Sequence, residues 1–178
     1  MAPTFSTPPK KFLTLSMFFI FTIIYQANTQ TTLVFYLQDI ATGPNATVSP
    51  VTGITGKVWS YNTFGTIFVI DDPVMLSPSP SSTIVGRAQG MLVASAHDGA
   101  NVNVVMSIVF SNLQYSGSTL EIQGISRQFE KYKEVSVVSG TGRFRFARGY
   151  ATFETAFYDP QTTHSIIRFT ITLMQMQP

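Results

Sequence analysis

The sequence predicts an all-β fold, an eight-stranded antiparallel β-barrel with an internal ligand cavity. Three observations carry that prediction. Beyond residue 30 apolar and polar residues alternate in strand-length runs, with few helix signals. Turn chemistry separates the runs at short spacing, with no helical interludes of about 10–15 residues, which argues against a parallel α/β layout. Several runs are apolar on both faces, so neither side of the sheet is fully wetted.

In chain order the runs are Leu33 to Ile40, Thr66 to Ile70, Ile84 to Ala96 and Val102 to Phe110, then Thr119 to Ile125, Lys133 to Val138, Ala147 to Tyr158 and Ser165 to Met174. Thr42-Gly43-Pro44-Asn45 turns the chain after the first, and Asp71-Asp72-Pro73 reads as a turn after the second. Ser77 to Ser82 is a low-complexity loop. His97-Asp98-Gly99 between two long alternating runs is the strongest hairpin signal. Ser116-Gly117 and Ser139-Gly140-Thr141-Gly142 close later turns. The turns alone leave a barrel or a sandwich open; parity chooses between them. Val102, Val104, Met106, Ile108 and Phe110 share one face. In the run from Ile84, one face carries Val85, Met91 and Val93 around Arg87 and Gln89, and the other carries Ile84, Gly86, Ala88, Gly90, Leu92 and Ala94. Small residues facing inward leave room for a ligand, and apolar residues facing outward want a partner subunit. The expectation is a hollow barrel in a homo-oligomer.

The chain has 178 residues, 44% hydrophobic and 11% charged, with no cysteine. That composition excludes a disordered chain, a disulfide scaffold and a thiolate metal site. Its opening reads as a secretory signal peptide over residues 1–29, leaving a single domain over 30–178. Lys10-Lys11 precede an apolar run of about 14 residues, short of the ~20 that span a bilayer, and Ala27-Asn28-Thr29 form a small, polar exit. Cleavage is expected after Ala27 or Thr29. Without Lys10 and Lys11 the eleven basic residues become nine, against nine acidic ones. A neutral domain has no electrostatic claim on nucleic acid, and after cleavage no membrane attachment is expected. Asn45-Ala46-Thr47 is a glycosylation sequon on a turn, in keeping with a secreted, extracellular protein.

Familiar catalytic motifs are missing: no G-x-S-x-G elbow, no H-E-x-x-H, no Walker loop. His97 and His164 read as surface residues. Arg127, Lys131, Lys133, Arg143, Arg145 and Arg148, interrupted by Glu130 and Glu134, read as a solvated rim.

Five blocks carry a resemblance. Phe35-Tyr36-Leu37-Gln38-Asp39-Ile40, Val85-Gly86-Arg87-Ala88-Gln89-Gly90, Gly117-Ser118-Thr119-Leu120, Val137-Val138-Ser139-Gly140-Thr141-Gly142 and Ala147-Arg148-Gly149-Tyr150-Ala151 resemble, in order and spacing, the plant dirigent family. The resemblance implies a secreted eight-stranded barrel of the apoplast, a homotrimer or homodimer. It would bind phenolic radicals or quinone methides made with an external laccase or peroxidase. It would have no oxidase activity of its own and need neither metal nor redox cofactor. Its task would be to impose stereoselectivity on phenoxy-radical coupling of monolignol-type phenols. The alternatives are dehydration of an isoflavanol through a quinone methide, as in the family's pterocarpan synthases, and non-catalytic carriage of phenolics in cell-wall or defence chemistry.

The same resemblance assigns a site. Asp39 matches the acid proposed to assist quinone-methide chemistry, and its parity with Leu33, Phe35 and Leu37 aims it inward, where burial would suit it to donate a proton. Thr155 matches a pocket threonine, and Lys133 stands where lignan-forming members carry arginine. These three are the catalytic candidates. Ser126 stands where those members carry a second aspartate, and Leu92 where they carry tyrosine. With Phe35 and Phe153, Ser126 and Leu92 make up the expected substrate-binding wall. One carboxylate, Asp39, is therefore expected in the pocket, which sets the chain nearer the divergent branch of the family, a branch that includes the pterocarpan synthases.

Overall fold

A computed structural model describes residues 30–174; the leader expected at 1–29 lies outside them. Among the described residues there are nine strands: β1 (Gln30–Ile40), β2 (Val48–Thr52), β3 (Ile67–Met75), β4 (Ile84–Ala94), β5 (Asn101–Phe110), β6 (Thr119–Arg127), β7 (Lys133–Thr141), β8 (Gly149–Asp159) and β9 (His164–Met174). All pairings are antiparallel, in the order β1-β9-β8-β7-β6-β5-β4-β3-β2. A further β1–β3 pairing closes eight of the strands into a barrel.

The ninth strand, β2, was not expected from the sequence, because it is short and holds Pro50. It lies at the end of the strand order, where a residue without an N–H is tolerated. β1 and β2 share one edge of β3. β1 takes its far end (Tyr36↔Met75, Leu37↔Val74), and β2 takes its near end (Val48↔Ile70, Ser49↔Val69). At this seam Asp71-Asp72-Pro73 is not the expected turn but the middle of β3. The backbone N–H of Asp71 donates to Thr47 O (2.8 Å), and Pro73, two residues on, points its ring nitrogen the same way, where the β1–β3 ladder has stopped. No ladder hydrogen bond is lost there.

Inward parity holds along β5, where Val102, Val104, Met106, Ile108 and Phe110 are all buried. On β4 it holds from Gly86 onward. A register shift at Val74/Met75 pairs Met75 with Ile84, and it buries Val85 while leaving Ile84 exposed, reversing the expected faces there. The inward glycines serve a different purpose from the one expected. A Cβ on Gly90 would lie 2.2 Å from Val105 O and 2.6 Å from Met106 Cα. Glycine lets β5 approach rather than opening space. Gly90→Ala should therefore destabilise the protein by roughly 1–3 kcal/mol in urea unfolding; an unchanged midpoint would refute the close approach.

The interior is hollow only in part. At the end holding the β5–β6 and β7–β8 loops, Phe110 packs against Phe35 (5.7 Å between ring centroids), Tyr115 (5.4 Å) and Phe144 (5.3 Å). Ile108, Leu120, Ile122, Phe169 and Ile171 fill the next layer without voids that water reaches. Outside, the register aligns exposed Val69, Met91 and Val105 in one row across β3, β4 and β5. Below that row Arg87 is bonded to Asp71, which also accepts from Gln89.

Candidate functional site

At the opposite end the barrel holds a pocket of about 210 Å³, lined by apolar side chains from most of the strands and by a few polar ones. Its apolar wall includes Leu37, Ile70, Leu92, Val104, Met106, Phe153 and Ile167. Phe153 is held flat against Phe169, with centroids 4.8 Å apart and planes 10° from parallel. That volume lies below the range of about 300–1,000 Å³ usual for drug-sized ligands.

Asp39, Lys133, Thr155, Ser126, Leu92 and Phe153 all reach this pocket. Thr155 stands exposed at the mouth and Ser126 is buried, its hydroxyl accepting from Gln128 Nε2 (3.2 Å). Lys133 has no ion-pair partner among the described residues. Phe35 is a correction: it shares Asp39's face but lies four residues deeper, in the aromatic cluster around Phe110, and does not line the pocket.

A larger correction concerns the acids. Asp39 is not alone, because Asp72 lines the same pocket. The register explains why. β1 and β3 pair at Tyr36↔Met75 and Leu37↔Val74; extended two residues past the seam, it sets Asp39 across from Asp72. The strands part there because Thr47 intervenes, its Oγ1 accepting from Ile40 N (3.0 Å) and its N–H donating to Ile40 O (2.8 Å). Burial in the apolar wall pushes Asp39 up to about 6. Asp72 is more deeply buried and is pushed up to about 8, by desolvation first and then by the nearby Asp39 charge. Its Oδ1 has no hydrogen-bond partner among the described residues. Both carboxyls are thus held toward their protonated forms in an apolar chamber, Asp72 more strongly than Asp39.

Tyr61 and Gln128 also line the pocket and were not foreseen. Tyr61 comes from the β2–β3 connection, and its ring stacks on Phe68 (4.3 Å). Nothing in its irregular sequence context marks it as pocket-facing. The two histidines lie elsewhere: His97 stacks on Phe64 (3.8 Å) and His164 Nε2 bonds Gln38 Oε1 (2.8 Å).

A family model described as Dirigent-like protein matches residues 30–174, the whole described barrel. The chain belongs to the dirigent family. Among its relatives, Dirigent protein 23 of Arabidopsis thaliana is 35% identical over 144 residues, covering 81% of this chain and 77% of that protein. Pterocarpan synthase 1 of Glycyrrhiza echinata is 37% identical over 142 residues, 78% of this chain and 73% of that one. In three dimensions the chain is similar to the pterocarpan synthase dirigent protein PsPTS1, with a TM-score of 0.76 and 34% identity over 85% of this chain and 99% of that chain. The corresponding figures for GePTS1 are 0.74 and 34%, over 82% and 84%. The dirigent barrel is thus shared with relatives that carry two different kinds of name.

Proposed function

We propose that this dirigent-family protein is an acid–base catalyst of quinone-methide chemistry, removing water from an isoflavanol-type benzylic alcohol and steering the ring closure that follows. The observation that carries this reading is a pair of carboxyls, half-buried Asp39 and buried Asp72, lining one apolar pocket from neighbouring strands, where desolvation raises both. Orienting two radicals requires shape and no proton transfer; a pair tuned around neutrality is what a dehydration uses.

The step balances without an oxidant. Asp39, as carboxylate, takes the proton from a phenol para to the carbinol carbon. Asp72, as acid, gives its proton to the benzylic hydroxyl, the C–O bond breaks and water leaves, giving the quinone methide. A second phenol of the same molecule then adds to the methide carbon, and its proton returns through the pair. The net change is loss of one water. Lys133 supports the charge that builds on oxygen, and the Phe153 wall fixes which face is attacked.

Incubation of an isoflavanol with the protein, without laccase or peroxidase, should yield a cyclised, optically active product. The kcat/KM profile should be bell-shaped, rising as Asp39 ionises near pH 6 and falling as Asp72 ionises near pH 8. Turnover that stays flat from pH 5 to 9 would remove the pair from the mechanism.

A second reading, the one that the family resemblance implies, is stereoselective coupling of monolignol-type phenoxy radicals supplied by a laccase or peroxidase; relatives named simply dirigent proteins are compatible with it. Coniferyl alcohol with a laccase separates the two: an enantiomeric excess supports coupling, and a racemate argues against it. Secretion, glycosylation at Asn45 and homo-oligomer formation, as a trimer or a dimer, through the Val69–Met91–Val105 row belong to the proposal. The leader, the exposed sequon and the apolar row support them.

A further inference from the structure

Tyr61 presents a problem that packing does not solve. Its ring stacks on Phe68, a contact that phenylalanine would make equally well. Its hydroxyl is buried, on a residue that lines the pocket, and has no hydrogen-bond partner among the described residues. An orphaned buried hydroxyl destabilises a fold, and here it brings no structural gain.

The hydroxyl is also held firmly in place. Phe64 stacks on His97, Trp59 lies over Gly53, and Thr66 Oγ1 donates to Thr63 O (2.9 Å). Gly65 N donates to Ala94 O (2.8 Å), tying the segment to the end of β4. Gly99, at φ +74, lets Asn62 pack against the β4–β5 hairpin, where a Cβ would lie 2.8 Å from Asn62 O. A side chain fixed at both flanks with a free donor at its tip is preorganised for a ligand.

We infer that the Tyr61 hydroxyl donates a hydrogen bond to the phenolic oxygen of the substrate, the atom that gathers negative charge as its proton leaves. This rests on the quinone-methide reading and adds to it a catalytic residue and a selectivity for free para-phenols. The groups sharing the chamber divide the work accordingly. Asp39 and Asp72 exchange protons, Lys133 supplies a cation from β7, and Ser126 is already bonded to Gln128. Burial first, and then the neighbouring aspartates, of which Asp39 carries the charge, hold the tyrosine proton more tightly than usual. Tyr61 therefore donates without transferring, and so stabilises the anion rather than quenching it.

The test uses p-nitrophenol, whose phenolate is coloured, as a compact probe of the pocket, together with the variant Tyr61→Phe. Bound to the wild-type protein, the probe should ionise about one pH unit lower than when bound to Y61F, the shift expected for one hydrogen bond to a charged oxygen. Isoflavanol kcat should fall about 10- to 100-fold in Y61F, with a much smaller change in KM. Identical ionisation of the probe in the two proteins would overturn the assignment of Tyr61, even if the wild-type protein dehydrates isoflavanols. A shifted probe without isoflavanol turnover would keep Tyr61 as the phenol donor and sink the dehydration. Failure of the wild-type protein to bind the probe would overturn the assignment of Tyr61 as a phenol donor, while isoflavanol turnover decides the dehydration separately.

Discussion

Asp72→Asn is expected to lower isoflavanol turnover by about 10²- to 10⁴-fold, the range that a positioned general acid supplies, while making the protein more stable in alkali. Asn fits the same space but cannot give up a proton to the leaving hydroxyl. The stability gain follows from burial. Asp72 is raised from its ordinary 3.8 to about 8 in the folded state, so its ionisation opposes folding. The folded state has its full advantage while the carboxyl is protonated in both states, below about pH 4. It loses that advantage progressively as pH climbs through about 8. An uncharged asparagine escapes the loss, so the gap between variant and wild type should widen from pH 6 to pH 9. A gain on the order of 2 kcal/mol at the upper end is expected, less than the full shift implies, since the pocket opens to water. Urea unfolding at the two pH values measures it. Wild-type turnover in D72N would end the acid–base mechanism.

Phe110→Ala should have the largest effect on stability, about 3–5 kcal/mol. Its ring is fully buried and meets Phe35, Tyr115 and Phe144 at once. Truncation leaves three aromatic faces without a neighbour, and the closed barrel around them has little freedom to collapse inward. The change should appear in the urea midpoint of unfolding. A loss below about 1 kcal/mol would mean that the plugged end of the barrel is not its main core.

Strand existence and facing were legible because period-2 alternation records burial directly. Val102 to Phe110 shows it most plainly, with every inward residue buried in the structure. The eight barrel strands follow from that signal and the turns. What was not legible depended on the closure of the barrel. Asp71-Asp72-Pro73 has the local chemistry of a turn, and only the seam, where Thr47 replaces β1 as partner, lets it continue as a strand. The second acid was hidden by the same misreading. Asp39 could be placed by parity within its own run, whereas Asp72 needed the register across the seam. Phe35 shows the converse limit: parity says which way a side chain faces but not how deep along the axis it lies. Tyr61 comes from an irregular connection that has no period to read.

The outer border of β2 exposes backbone donors and acceptors that no neighbouring strand among the described residues engages. Such a border is a template on which copies of a chain can stack and polymerise. Here it is only five residues long, it contains a proline, and it is broken by a register shift between Pro50 and Thr52. A foreign strand laid alongside would find its hydrogen-bond sequence interrupted after two or three residues. The flaw in this border thus works against fibrous self-association.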